Sequence, residues 1–187
     1  MLSFISQLLT AFGLASASGL NAYIPLLLVA LAARFTNLVK LNPPFDLLAN
    51  EWVIGALVVL LAIEVVVDKI PAADTFNDIL QTFVRPVAGA ILFAASTSVI
   101  NLNPIVAAIL GLVLAFGVHA TKTAARPVVT ASTAGLGNAF VSVGEDIVST
   151  GVSLAAIVLP VVIAVLLGLM VVGVLWFMFS RRQSESA

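Results

Sequence analysis

Two carboxylates and a lysine close an otherwise apolar segment, and their types and spacing suit the handling of a proton or a cation. Glu64 and Asp68 are four residues apart, so a helix places them on one face, and Lys69 follows directly. A carboxylate inside an apolar helix is costly unless it is paired or protonated. Two carboxylates close together tend to share a proton or a cation. We therefore predict a coupling site here, completed by Asn21.

A second polar group lies at the end of a later apolar segment. His119 and Lys122 are three residues apart and Arg126 is one turn further on, so a continuing helix presents one cationic face. This face would receive an anionic headgroup or solute, and the histidine suits a proton relay near neutral pH. The alternatives are that these residues anchor a helix at the membrane interface, or that one of them pairs with Glu64 as an internal anchor.

Similar stretches occur at distant positions and suggest an internal repeat. The matching pairs are ASASGLNAY at 15–23 with ASTAGLGNAF at 131–140, and RPV at 85–87 with RPV at 126–128. Transporter folds are commonly built from repeats whose interrupted helices line a site. Ser18, Asn21 and Asn138 would then contribute to one shared site. The alternative is that the small residues only allow close helix packing, with each asparagine making one interhelical hydrogen bond.

The elements that position these residues must lie in a membrane. The chain has 187 residues, of which 61% are hydrophobic and 9% charged, and its mean hydropathy is +1.20. A soluble domain of this size cannot hide so much apolar surface, whereas a bilayer solvates it directly. Membrane lipids are therefore the first expected partners.

Composition also narrows the chemistry. The net charge of −1 and scattered cations exclude the basic patch that nucleic acids need. The absence of cysteine excludes disulfides and thiolate sites, and a single histidine argues against a multi-histidine metal centre. No phosphate loop, nucleophile elbow or zinc-protease motif is present, so we expect neither an enzyme nor a metal site. The sequence identifies no cofactor.

The apolar segments predict an all-α membrane bundle of about six elements, forming one domain over 1–180 with a disordered cytoplasmic tail over 181–187. The chain begins with a broken or kinked stretch over 1–35, followed by a span over 51–67 and an amphipathic surface helix over 68–84. Two further spans are predicted over 85–100 and 104–122. A short element over 127–143, packed in the bundle or re-entrant, and a last span over 152–179 complete the domain. Glu145 and Asp146 then form the first turn before the last span.

The distribution of cations predicts an orientation. With six crossings and both termini in the cytoplasm, six of the eight Lys and Arg residues lie on the cytoplasmic side. Arg34 and Lys40 are the two left outside.

Three motifs carry a family resemblance. GLNAYIP at 19–25, EVVVDKIPAAD at 64–74 and RPVAGA at 85–90 resemble the bacterial membrane family called domain of unknown function 4126. The resemblance covers nearly the whole chain, implies a small multi-pass protein of the bacterial inner membrane, and brings no agreed activity. The architecture is more loosely similar to the lysine exporter superfamily, but the ExGDK pattern of some cation exchangers is only half echoed at Glu64, Asp68 and Lys69.

These observations lead to two functional expectations. The first is a small transporter for a solute or ion, in which Glu64 and Asp68 couple movement to protons or cations. The second is a structural subunit, or a lipid-binding or cofactor-binding subunit, of a larger membrane complex, whose small-residue faces pack on partner helices. A transporter would be isolated alone or as a homo-oligomer, whereas a subunit would bring stoichiometric partners.

Overall fold

The computed structural model describes residues 2–68, 71–133 and 137–159, and within these ranges the protein is helical, with no β-strand. Short 3-10 turns at Phe45–Ala49 and Ser98–Ile100 accompany six α-helices. The helices are α1 (Leu2–Leu20), α2 (Tyr23–Phe35), α3 (Glu51–Val67), α4 (Pro71–Thr97), α5 (Pro104–Thr133) and α6 (Gly137–Val158). The all-α prediction is confirmed.

Among the described residues, three helices are long and apolar enough to cross a bilayer. The stretches are Ile79–Thr97 within α4, and the whole of α5 and α6. Two shorter apolar helices, Phe4–Leu20 of α1 and α2, accompany them. Large apolar side chains such as Val59, Val113 and Ile147 face outward and are more than half exposed. A hydrocarbon environment accommodates such a surface, so the chain is a helical membrane protein, as its composition predicted.

The first apolar stretch breaks at Asn21, as the sequence predicted. α1 ends at Leu20 and α2 begins at Tyr23. The first backbone N–H groups of a helix have no partner within it. Asn21 Oδ1 accepts hydrogen bonds from two of them, the N–H of Tyr23 at 2.9 Å and of Ile24 at 3.0 Å. The side chain of Asn21 therefore stabilises the start of α2 at the point where the chain turns.

α1 and α2 double back on each other. Ser6 and Gln7, early in α1, line one cavity together with residues 37–40, which follow α2. The start of α1 and the loop after α2 thus lie at one end of the bundle, named here the loop end. At a rise of about 1.5 Å per residue, the hairpin tip at Asn21 is about 25 Å away. The first stretch therefore returns to its starting end, which differs from the single crossing predicted for it.

α6 packs along the hairpin and runs antiparallel to α1. Ser149 Oγ donates to the carbonyl oxygen of Ala17 at 3.1 Å, near the hairpin tip. Thr10 Oγ1 donates to the carbonyl oxygen of Ala156 at 2.8 Å, closer to the loop end. These hydrogen bonds satisfy side-chain hydroxyls inside the bundle and fix the register between the two helices.

α1, α4 and α5 approach closely because glycines stand where they cross. A Cβ atom at Gly111 of α5 would collide with the carbonyl oxygen of Gly89 on α4, and would lie 2.6 Å from the Cβ of Phe93. A Cβ atom at Gly19 of α1 would lie 2.5 Å from the carbonyl oxygen of Ala115 on α5. These separations are shorter than carbon contacts allow, so the packing requires glycine. Small residues at interfaces of this kind are typical of membrane bundles.

The structure corrects the predicted surface helix over 68–84. α4 runs without interruption from Pro71 to Thr97 and includes both this segment and the predicted third span. The prediction placed a helix start at Pro86, because proline favours the first turn of a helix. A proline inside a membrane helix is nevertheless tolerated when neighbouring groups satisfy the carbonyl it leaves free.

The predicted boundaries around the fifth element are also wrong. α5 continues through Pro127 to Thr133, and α6 begins at Gly137, so the segment 127–143 belongs to two helices. Glu145 and Asp146 consequently lie inside α6, and not in a first turn. The predicted last span begins within α6; its remainder from residue 160, together with the predicted tail, lies outside the described residues.

Candidate functional site

Arg85 is the centre of a buried cluster of charged and polar side chains. Its Nη2 lies 3.2 Å from Glu64 Oε1, and both side chains are 1% exposed. Its Nη1 lies 3.0 Å from Nδ1 of His119, which is also buried. Glu64 comes from α3, Arg85 from α4 and His119 from α5. One guanidinium therefore joins three helices inside the bundle.

The contacts of His119 define its tautomer. A guanidinium carries donors only, so Nδ1 of His119 must accept from Arg85. Nε2 then carries the proton and donates to Thr82 Oγ1 at 3.0 Å. The imidazole is thus neutral in this arrangement. A proton added at Nδ1 would remove the acceptor that Arg85 uses.

Helical periodicity explains why these side chains meet. The buried positions of α5 recur at three- and four-residue spacing, which keeps them on one face. They are Ala107, Gly111, Ala115, His119, Lys122 and Arg126. The first half of this face is small and packs against α4, and the second half carries the neutral imidazole of His119 and the cations Lys122 and Arg126. The predicted common face of His119, Lys122 and Arg126 is confirmed, and it faces the interior of the bundle.

A second ion pair lies on the same face of α5. Lys122 Nζ is 2.7 Å from Glu145 Oε2 of α6, and Arg126 Nη2 is 3.8 Å from the same oxygen. Lys122 Nζ also lies 3.5 Å from the carbonyl oxygen of Leu20, the last residue of α1. The carbonyl end of a helix carries partial negative charge, so the ammonium is stabilised by both groups.

The hairpin tip is tied to α6 through a carboxylate. While Asn21 Oδ1 caps α2, its Nδ2 donates to Asp146 Oδ1 at 2.9 Å. Asn21 is 1% exposed. The amide of Asn21 thus bonds the start of α2 through its oxygen and Asp146 of α6 through its nitrogen. Asn21 therefore connects the α1–α2 hairpin to the charged residues of α6.

Asp68 completes the cluster at the end of α3. Its Oδ1 accepts from Nδ2 of Asn77 at 2.9 Å, and its Oδ2 accepts a short hydrogen bond from Ser142 Oγ. Asp68 is therefore linked to α4 and α6. Lys69, the third charged residue of the predicted coupling site, lies outside the described residues. We use the name polar core for the set Asn21, Glu64, Asp68, Arg85, His119, Lys122, Glu145 and Asp146.

The polar core lies at membrane depth. Arg85 is twelve positions before Thr97, the loop-end terminus of α4, and His119 is fifteen positions after Pro104, the start of α5. At a rise of about 1.5 Å per residue these distances are about 18 and 22 Å. The hydrocarbon layer is about 30 Å thick. Ionised groups at such depth are expensive and are commonly functional.

Three buried polar atoms at Arg85 and its neighbours Glu64 and Gln81 have no hydrogen-bond partner within the described ranges. They are Glu64 Oε2, Arg85 Nε and Gln81 Oε1. A buried polar atom without a partner costs about 1 to 3 kcal/mol, and more when the group is charged. Such atoms are rare in native interiors and require an explanation. Glu64 and Arg85, which form an ion pair, therefore each have one polar atom that makes no hydrogen bond within the described ranges.

The predicted site residues do not all meet. Ser18 is fully buried, but its Oγ donates to Ala15 of its own helix. Asn138 hydrogen-bonds Thr130 across the turn between α5 and α6, whereas Asn21 bonds Asp146. The two similar stretches do coincide with two helix breaks. Their asparagines nevertheless have separate partners, so the structure does not join them in one site.

Sequence reasoning missed the partner of Glu64. The predicted alternatives were His119, Lys122 and Arg126, but the partner is Arg85. Asp146 and Ser142 were not selected either. The repeated Arg-Pro-Val triplet was the one available signal, because both of its arginines, at 85 and 126, are buried in the cluster.

Metal ligation has no support in the described part of the chain. No group of three or more His, Cys, Asp or Glu side chains is arranged there to hold an ion. The carboxylates of the polar core are instead shared among Arg85, Lys122, Asn21, Asn77 and Ser142. The arrangement can hold and exchange protons among acidic, basic and neutral partners.

Comparisons with known proteins place the chain in a family. Searches of curated proteins and of solved structures found no match. Neither these searches nor the family comparison connects the chain with the lysine exporter superfamily. One family model, described as Domain of unknown function (DUF4126), matches residues 8–180. Because this match covers almost the whole chain, the protein belongs to the DUF4126 family.

Proposed function

We propose that the protein is a small, non-catalytic membrane transporter in which proton binding at the polar core controls the position of α3. The observation that carries this proposal is the arrangement around Arg85. Its guanidinium is shared between Glu64 and His119 at membrane depth, and the second carboxylate oxygen of Glu64 is buried without a described partner.

α3 is suited to move relative to α4 and α6, because its apolar packing is mainly with α2. Its buried residues are Leu57 and Glu64, while Val59, Ile63 and Val66 face outward and are more than half exposed. Its attachment to α4 and α6 is mainly polar, through Glu64 and, at its end, Asp68. Polar attachments can be switched by one proton, whereas apolar packing cannot.

Proton binding would break contacts to Arg85 at either of two positions. A proton on Glu64 removes the ion pair and so weakens the link between α3 and α4. A proton on Nδ1 of His119 removes the acceptor on α5 and leaves Arg85 free to turn toward Glu64. Competition for one guanidinium thus couples two protonation sites to the relative positions of three helices.

Charged groups from three helices surround Glu64. Asp68 on α3 and Asp146 on α6 carry the same charge as an ionised Glu64, whereas Arg85 on α4 carries the opposite charge. A proton gained by Glu64 therefore redistributes interactions across the whole polar core.

Solute-coupled proton flux in reconstituted vesicles tests this proposal. Purified protein is placed in liposomes that contain a pH-sensitive dye, and gradients of small organic anions, amino acids and inorganic ions are applied in turn. We expect one class to drive proton movement in the wild type, and Glu64→Gln to abolish it. Glu51→Gln is the matched control, because Glu51 pairs with Arg34 at the surface, where the side chains are 71% and 38% exposed. Full flux in Glu64→Gln would exclude the mechanism.

Purification from the native membrane tests the competing role. A transporter is expected alone or as a homo-oligomer, with lipid. Recovery with stoichiometric partner proteins or a cofactor, together with no flux in vesicles, would instead identify a structural or binding subunit, and Glu64 would then be an anchor for α3.

The proposed location is the bacterial inner membrane. Cations favour the cytoplasmic side, so the end with Lys69 is proposed to face the cytoplasm. The loop end, with Arg34 and Lys40, would then face outward. Because α1 starts at the loop end, this orientation places the beginning of α1 outside, in contrast to the cytoplasmic amino terminus predicted from the sequence.

A further inference from the structure

A cavity with polar and apolar lining opens at the loop end, apart from the polar core. Its volume is about 310 Å³, and it lies between α1, residues 37–40, the end of α4 and the end of α6. This volume is at the lower end of the range for small-molecule sites, so the cavity suits a small solute.

The lining has a definite chemical character. Half of the described lining residues carry neutral hydrogen-bonding side chains, the others are mostly apolar, and Lys40 is the one charged residue among them. The neutral polar residues are Ser6, Gln7, Thr10, Asn37 and Ser96. No carboxylate accompanies Lys40 in the described lining, so the cavity favours an anion. Gln7 adds a specific requirement: its Oε1 is buried and accepts no hydrogen bond within the described ranges, and a rotation of the amide group would turn this oxygen toward a bound solute.

We propose that this cavity binds a small organic anion that also carries a hydrogen-bond donor, such as a hydroxy acid. The ammonium of Lys40 binds the carboxylate, and the amide oxygen of Gln7 accepts from the hydroxyl. As the substrate site this assignment rests on the proposed transport function, although binding is measured without transport.

α1 connects the cavity to the polar core, because it lines the cavity and ends directly before Asn21. Leu14, which is 1% exposed, forms part of the inner wall of the cavity. From Leu14 the helix continues for about 10 Å to Asn21 at the hairpin tip. A solute in the cavity would therefore be separated from the polar core by a short stretch of small residues in α1.

The absence of cysteine in the sequence allows a direct test with single thiols. Ser96→Cys is a nearly isosteric reporter in the cavity wall, named here the cavity thiol. Ser132→Cys, on the exposed part of α5, provides the control thiol. Each variant is reacted in phosphatidylcholine nanodiscs with the anionic sulfonatoethyl and the cationic trimethylammonioethyl methanethiosulfonate. The ratio of the two rates measures the local preference for anions.

We expect Lys40→Gln to lower this ratio at the cavity thiol, with Lys40→Arg restoring it and the control thiol unaffected. For charges about 6 Å apart in water, Coulomb's law gives a change of about threefold in each rate and about tenfold in the ratio. An unchanged ratio at the cavity thiol would overturn the assignment of Lys40.

Competition with two related diacids tests the hydrogen-bond requirement. L-Malate and succinate differ by one hydroxyl, so malate should protect the cavity thiol at lower concentration, and Gln7→Leu should remove this difference. Equal protection by the two acids, or no protection by either, would overturn the proposal. Nanodiscs of phosphatidylglycerol distinguish a lipid headgroup from a free solute. If malate still protects the cavity thiol in phosphatidylglycerol, the ligand is a free solute. If the cavity thiol is not labelled there even before malate is added, a lipid phosphate fills the cavity, and the proposal of a solute site is overturned.

This outcome is separable from that of the proposed function. Failure of protection with persistent Glu64-dependent proton flux would reject the cavity alone. Protection by malate without proton flux would retain a binding site and reject transport.

Discussion

Neutralising Glu64 should destabilise the protein, because it leaves the charge of Arg85 buried without its partner. The two groups are 3.2 Å apart and 1% exposed. Coulomb's law at this distance, with an effective dielectric constant of about 20, gives about 5 kcal/mol. Removal of one partner from a buried pair typically costs about 3 to 5 kcal/mol. Since glutamine still accepts a hydrogen bond from Arg85, we expect Glu64→Gln to lower the free energy of unfolding by about 3 kcal/mol.

A double-mutant cycle isolates this effect from other consequences of the substitution. Thermal unfolding in mild detergent is measured for the wild type, Glu64→Gln, Arg85→Gln and the double variant. The double variant removes both charges, so its loss of stability should be smaller than the sum of the two single losses, with a coupling energy of about 2 to 3 kcal/mol. It should nevertheless lack proton-coupled flux, which separates the role of the pair in transport from its role in stability.

The surface pair provides the matched comparison. Glu51→Gln removes an ion pair of nearly the same length, 3.3 Å, whose side chains are substantially exposed. Exposed pairs contribute about 0 to 1 kcal/mol, so little change is expected. If Glu64→Gln and Glu51→Gln lower stability equally, the buried ion pair does not hold α3 to α4 as described.

Three further substitutions test other contacts by thermal unfolding. Gly111→Ala should lower the free energy of unfolding by about 3 kcal/mol, because the added methyl group meets backbone and Cβ atoms of α4. Gly55→Ala is the control, because a methyl group there has open space and should not lower stability. Equal stability of the two variants would contradict the close crossing of α4 and α5. Asn21→Ala should cost about 2 kcal/mol by removing the cap of α2 and the donor to α6, and a cost below about 0.5 kcal/mol would show that the hairpin tip is not held by this amide. Glu145→Gln should cost about 3 kcal/mol by leaving Lys122 buried without its carboxylate, and full stability would refute that ion pair.

Much of the fold follows from composition and local signals. The apolar excess predicted the membrane, and the small polar run before Pro25 predicted the break at Asn21. The boundaries of α3 were also predicted, because Asn50 caps its start and Asp68 ends its apolar run. Local signals failed at Pro86 and Pro127, which resemble helix starts in the sequence but lie inside α4 and α5.

The candidate site was predictable only in part, for a related reason. Glu64 is conspicuous because a carboxylate in an apolar helix needs a partner, and His119 with Lys122 shows a helical spacing. Arg85 was overlooked because its neighbour Pro86 placed it at a membrane interface, where an arginine is ordinary. Asp146 was assigned to the first turn of a helix, where a carboxylate is also ordinary because it interacts favourably with the helix dipole. Only the packing of separate helices shows which charges meet.

The most direct test of the central claim is an infrared pH titration of the reconstituted protein, which follows the C=O band of protonated carboxyl groups. The account predicts a band in the wild type that appears as Glu64 gains a proton, is absent from Glu64→Gln, and is shifted in position along the pH scale by Arg85→Gln. An identical set of bands in the wild type and Glu64→Gln would show that Glu64 does not exchange a proton, and would contradict the proposed coupling at Arg85.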